Sequence, residues 1–229
     1  MYKNLVLIDT QKHKEVRILP QKNFSFAKDL ISAPVTMSEY FEACKSYPIV
    51  FAKDKDDQWF SMVLLGLKEK KNLFLNRDMQ WKGQHYIPTF IKKYPFSLVK
   101  TGKEGGLSVA VKSEMLSEGK EGERLFMGDG DETYYLTKMV ERLRHEKGDT
   151  EKTRGFIEEL EGLKILEETS ITVKNREQDL VLKGFYRINE EKLQKITKKA
   201  KEKIYTSQLS HYIIAHLISL TNIKKLGAM

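Results

Sequence analysis

A chain of 229 residues can bury a sizeable core, as one large domain or two small ones. Hydrophobic residues at 40% and charged residues at 31% set it among soluble globular chains rather than disordered or membrane ones, and a single cysteine excludes a disulfide framework. The 40 Lys and Arg against 32 Asp and Glu leave a formal charge of +8, which suits phosphate, anionic lipid or an acidic protein surface.

The first apolar run, residues 5–8, reads as a short strand, and Asp9 ends it too soon for a signal peptide. No run approaches the roughly 20 apolar residues of a spanning helix. The expected compartment is therefore the cytoplasm, with a signal-independent route to the cell surface left open. Residues 16–19 read as a second strand, with His13 in the turn before it. Thr36 and Glu39 are spaced as a capping box, and Met37, Tyr40, Phe41 and Cys44 follow at helical spacing until Pro48. Cys44 on that apolar face reads as a small buried hydrophobe.

Residues 47–98 lie between two Tyr-Pro corners and hold both tryptophans, Trp59 and Trp81. Residues 49–52 and 59–67 predict a hairpin across the charged turn 53–57, and residues 72–75 a third strand. Leu64-Leu65-Gly66-Leu67 is apolar on successive residues, so both its faces are expected to be covered. Pro88 and Pro95 interrupt the ladder, and residues 90–94 between them are either one helical turn or an edge segment. Residues 107–111 form a further strand after a turn at 102–106. The polar stretch 113–130 reads as a loop or linker. It separates a β-rich aromatic unit, 1–112, from a second part, 113–229, as two units or one integrated domain.

In the second part Asp131 is placed to cap a helix with the stripe Leu136, Met139, Val140 and Leu143, stopped at Gly148. A second helix over 150–163 would complete a helical hairpin. Residues 165–173 and 180–188 predict a β-hairpin turning near 175–179. Asn189 caps a helix with Leu193, Ile196, Ala200 and Ile204 inward and lysines on a solvated face. The last helix, 207–220, is apolar nearly all round and expected to be the most buried. The class is α+β: a β-rich N-terminal half of hairpins in a small barrel-like sheet, and a mainly helical C-terminal half containing one further β-hairpin.

Motifs for chemistry are sparse. The glycines at 102–106 lack phosphate-loop spacing, and a calcium loop beginning at Asp129 would need a glutamate where Val140 stands. Of His13, His85, His145, His211 and His216, no pair has the i, i+4 spacing of a helical zinc site. His216 shares a face with Leu209, Ile213 and Leu220 and reads as a hydrogen-bonded core histidine, while His145 is expected near a helix C-terminus. No metal or other cofactor is expected. The candidate ligand-binding residues are Trp59, Trp81, Tyr86, Tyr94 and Phe96, with Arg77 and Arg187 as cations over their rings. Core packing is the competing use of the same aromatics.

Several motifs occur in a recognisable order: Tyr47-Pro48-Ile49-Val50-Phe51, Leu64-Leu65-Gly66-Leu67, Asn72-Leu73-Phe74, Trp81, Tyr86-Ile87-Pro88 and Tyr94-Pro95-Phe96. Gly184-Phe185-Tyr186-Arg187-Ile188-Asn189 and Ala215-His216-Leu217-Ile218-Ser219-Leu220 complete the set. Together they resemble the bacterial SapC family, named after a surface-layer protein locus and distinct from a peptide-transport permease of the same name. The resemblance implies a role in surface-layer biology, with no catalytic residue to carry over. Other members occur beside genes for flavin-dependent halogenases and outer-membrane receptors. The leading expectation is a non-enzymatic component or assembly accessory of the surface layer, with an acidic surface-layer protein as partner. The alternative is an intracellular accessory or enzyme of a small-molecule or peptide-modifying pathway that uses the aromatic site. Nucleic acid ranks third, since no nucleic-acid motif accompanies the charge.

Overall fold

A computed structural model describes residues 4–68, 70–101, 106–173 and 180–229. The first part of the chain runs through β1 (Leu5–Leu7), α1 (Thr10–His13), β2 (Arg17–Ile18), β3 (Ser32–Val35), α2 (Tyr40–Ala43), β4 (Ile49–Lys53) and β5 (Trp59–Leu64). It continues with α3 (Thr89–Lys92), β6 (Phe96–Thr101), β7 (Gly106–Lys112), β8 (Leu116–Ser117) and β9 (Glu123–Arg124). Then come α4 (Tyr134–Gly162), β10 (Leu166–Val173), β11 (Leu180–Ile188), α5 (Glu190–Lys195), α6 (Lys198–Thr206), α7 (Leu209–Leu220) and α8 (Asn222–Ala228). The class is α+β, as expected. The chain divides into two compact units, each discontinuous in sequence: residues 25–90 with 149–229, and residues 1–24 with 91–148.

The larger unit is built on a five-stranded antiparallel sheet in the order β10-β11-β4-β5-β3. The predicted hairpin of β4 and β5 is present, with Phe51 opposite Ser61 and Lys53 opposite Trp59. Its turn closes because the Asp54 carboxylate accepts from the amides of Asp56 and Gln58 at 2.9 and 3.0 Å. Tyr186 of β11 pairs with Phe51. Directly opposed residues point to the same side of a sheet, so Phe51, Ser61, Trp59, Lys53 and Tyr186 share one face. Phe156 of α4 and His216 of α7 cover it, with ring centroids 6.4 and 4.5 Å from Phe51. Leu64, Leu65 and Leu67 are all buried, as their apolar succession requires.

The smaller unit carries two three-stranded sheets, β1-β7-β6 and β8-β2-β9. Ile18, Phe96, Val111, Leu125, Phe126, Leu136, Val140 and Leu143 form its core. Gly122 sits beside β9 at φ +100°, where an added Cβ would lie 2.1 Å from the Ile18 carbonyl oxygen. Only glycine fits that approach.

Several local expectations are corrected. Residues 72–75 make no strand. The Asn72 carboxamide accepts from the Phe74 amide at 2.9 Å, an Asx turn that takes this amide from any ladder, while the Asn72 and Leu73 amides go to the Lys28 and Leu65 carbonyls; one isolated bridge remains, Leu75 to Trp81. Residues 113–130 are not a plain loop, because Leu116 and Glu123 both pair with Ile18. Thr133, not Asp131, starts α4: its hydroxyl accepts from the Leu136 amide at 3.3 Å. The expected helical hairpin is one helix, Tyr134–Gly162, which puts His145 in its interior. The expected helix after Asn189 is two. The Asn189 cap is present, with the Lys192 amide donating to its side chain at 2.9 Å, but the Thr197 hydroxyl then caps α6 separately. Residues 102–105 and 175–179, where two turns were expected, lie outside the described residues.

Glycine inside a helix costs about 1 kcal/mol relative to alanine. A Cβ at Gly148 would meet nothing within 4 Å. Gly148→Ala should therefore stabilise the chain by about 0.5–1 kcal/mol in urea unfolding. A destabilisation would mean that a left-handed helix end sits there, as in the hairpin expectation.

Candidate functional site

Within the larger unit the aromatic residues of 47–90 form two groups. In the first, Tyr47 follows α2 and is completely buried. Its hydroxyl accepts from the Trp81 indole at 3.0 Å and donates to the Tyr86 carbonyl. Burial, the largest influence, raises the Tyr47 phenol far above its ordinary value. Phe74 packs edge-on to Tyr47 at 4.5 Å and nearly parallel to Trp81 at 6.4 Å. His85 meets Phe74 edge-on at 5.1 Å, and its Nδ1 lies 3.0 Å from the Ser46 hydroxyl. Tyr86, half-buried, donates to Glu39 Oε1 at 3.0 Å. Its phenol is pushed up to about 12, chiefly by burial, with the Glu39 charge adding.

Glu39 is the hub of this group. The expected capping box supplies half its role: Oε2 accepts from the Thr36 amide at 2.9 Å and from the Thr36 hydroxyl at 3.2 Å. The other half is tertiary. Oε1 accepts from the Thr89 amide at 2.7 Å as well as from Tyr86. One buried carboxylate thus ties the start of the α2 segment to the loop around Pro88. The sequence signal found only the local half.

The second group stands on the sheet. Trp59, 5% exposed, donates from Nε1 to Glu161 at 2.8 Å and meets Tyr186 edge-on at 4.9 Å. The cation over its ring is Lys53, at 4.8 Å, which also pairs with Asp57 and Glu161. Arg187 instead gives its Nε to Glu167 at 2.7 Å, and the Asn189 carboxamide donates to the other Glu167 oxygen. These bonds, Asn189 first, hold the Glu167 carboxyl below its ordinary value. Arg77 is exposed in a turn made by the Asn76 side chain, which accepts from the Asp78 and Gln80 amides.

Tyr94 and Phe96 belong to the smaller unit. Tyr94 is buried and donates to Glu114 at 2.9 Å; Phe96 lies in the core with its ring edge-on to Tyr135. Within the larger unit, the structure links Trp81 with Tyr86 through Tyr47. Trp59, Arg77 and Arg187 lie elsewhere in the same unit.

His216 is a core histidine, as its helix face predicts. It is fully buried and stacked on Phe51, and its Nε2 accepts from the Ile188 amide at 3.1 Å. Nδ1 must then carry the proton, and it has no hydrogen-bond partner. Burial first, and the Arg187 charge second, lower its pKa to about 3.

Tyr47→Phe should cost about 1–2 kcal/mol, since one hydroxyl serves two buried partners. Urea unfolding followed by tryptophan emission measures it, and an unchanged midpoint would remove Tyr47 as the link between Trp81 and Tyr86.

Among the described residues no helix is long and apolar enough to cross a membrane, and no three His, Cys, Asp or Glu side chains gather as metal ligands. Comparison with known families finds that the SapC model matches residues 8–226. No curated protein and no solved structure matches the chain.

Proposed function

The chain belongs to the SapC family, and from that premise we propose that it serves the bacterial surface layer without catalysing a reaction, as a component or as an accessory in assembly or secretion. The match over residues 8–226 carries this reading. The use of the polar groups among the aromatics supports it: the Glu39 oxygens, the Tyr47 hydroxyl and the Trp59 indole are all spent on internal hydrogen bonds that join elements of the fold. The formal charge of +8 suits an acidic surface-layer protein as partner.

Cell fractionation with a deletion strain tests the reading. The expected result is protein in the envelope fraction and a surface layer that is shed or incomplete when the gene is removed. Protein confined to the cytosol, with an intact layer in the deletion strain, overturns it.

One observation favours a second reading, a small-molecule or peptide-binding accessory. Tyr86 and His85 are only half-buried, so the Trp81 group reaches the surface. That reading expects candidate peptides to quench tryptophan emission, and quenching that survives in Tyr86→Ala would sink it.

A further inference from the structure

We propose that α6, α7 and α8 form a docking face for an anionic lipid surface. Residues 198–229 contain six lysines and one glutamate, so they hold +5 of the chain's formal +8. The charge is not spread over the molecule but gathered in its last helices.

The same segment leaves apolar side chains in water. The last helix was expected to be the most buried, yet α7 buries only one side: Ile213, Ala215, His216 and Ser219 face inward. Ile214 and Ile218 are 53% and 52% exposed, and their i, i+4 spacing stacks them on successive turns. Thr221 keeps helical angles, φ −61° and ψ −24°, so the same line carries on into α8 and reaches exposed Lys225 beside Lys224. Tyr205 of α6 and Met229 at the chain end are exposed as well. α6 packs against α7 and is itself amphipathic, with Ile204 inward and Lys198, Lys199, Lys201 and Lys203 outward. Lys203 is partly spent on Glu159, at 2.8 Å, and Lys201 on the Gln194 carbonyl, at 2.7 Å. Lys198, Lys199, Lys224 and Lys225 form no ion pair among the described residues.

The combination selects the partner. Nucleic acid would take the lysines but leave both isoleucines wet. A lipid surface takes both: the lysines meet phosphate headgroups while the exposed isoleucines of the helix set their aliphatic tips just beneath them. This face is independent of the surface-layer reading, and either can fail alone.

Sedimentation of the full chain with vesicles tests it. The protein should pellet with mixed phosphatidylglycerol and phosphatidylcholine vesicles, stay in solution with phosphatidylcholine alone, and be released by salt. Ile214→Ser with Ile218→Ser should weaken partition about tenfold at unchanged melting temperature, since both side chains are exposed. Lys224→Glu with Lys225→Glu should weaken it at least as much. Failure to pellet with the anionic vesicles, or equal pelleting with both lipids, overturns the proposal. So does binding that ignores the isoleucine pair, and so does tighter retention on duplex DNA than on the anionic vesicles.

Discussion

Glu39→Ala should destabilise the chain by about 3–5 kcal/mol, the largest loss expected from any single side chain near the aromatic groups. The carboxylate takes four hydrogen bonds, two of them from the backbone amides of Thr36 and Thr89. An amide buried without an acceptor costs about 1–3 kcal/mol, and alanine takes the acceptor from both while opening a cavity. Two further donors, the Thr36 and Tyr86 hydroxyls, lose this partner but can rotate, so they add less. Glu39→Gln separates charge from shape. It keeps one oxygen but turns an –NH2 group towards donors, and should cost about 2 kcal/mol. Urea unfolding at neutral pH measures both. A loss below about 1 kcal/mol for the alanine variant would mean that the amides find other acceptors and that the clamp is not structural.

The same residue marks how far the sequence could be read. The spacing from Thr36 to Glu39 announces a capping box, because that chemistry is local, and the Asp54 turn, the Asn189 cap and the pairing of residues 49–53 with 59–64 were legible for the same reason. The Tyr86 and Thr89 bonds to Glu39 span 47 and 50 residues, and no local pattern encodes them. Local signals fail where tertiary packing or a competing cap outvotes them. Gly148 reads as a helix stop, yet nothing crowds it and the apolar line resumes at Phe156 and Leu160, so the helix runs on at a small cost. At Thr197 the balance runs the other way. A side chain able to cap outweighed the inward line of Leu193, Ile196, Ala200 and Ile204, and the helix breaks. Tyr94 and Phe96 follow Trp81 closely in the chain, and Pro95 leads Phe96 into β6 of the smaller unit, an assignment no local pattern encodes. Arg187 has the charge to sit over a ring, but the nearby Glu167 engages it instead.

Acid should find the weakest point of the larger unit at His216. In the folded chain burial holds its pKa at about 3, whereas an unfolded chain titrates near the ordinary value, about 6.5. As the pH falls below about 6.5 the unfolded state takes up a proton that the folded state refuses, so stability drops as acid is added. At pH 4 this one group should have cost about 3 kcal/mol relative to pH 7, and the loss levels off only near pH 3. The sign is fixed by the direction of the shift: the contribution is whole above the unfolded value and is lost going down. Geometry supports it, because an imidazolium here would place a second N–H against the Ile188 amide, which now donates to Nε2, and would charge a ring stacked on Phe51. Arg187 repels the same charge. Glu167, held below its ordinary value, adds a loss of its own at lower pH as it becomes protonated. His216→Gln isolates the histidine, because a carboxamide oxygen can still accept from Ile188 but does not titrate. The variant should be about 2 kcal/mol weaker at pH 7, having lost the stack and some volume. Its stability should then fall by about 3 kcal/mol less than the wild type's between pH 7 and pH 4. Urea midpoints at the two pH values for both proteins measure this difference. Parallel losses would mean that the imidazole reaches solvent and a proton in the folded state, and that the core over Phe51 opens far more readily than its packing implies.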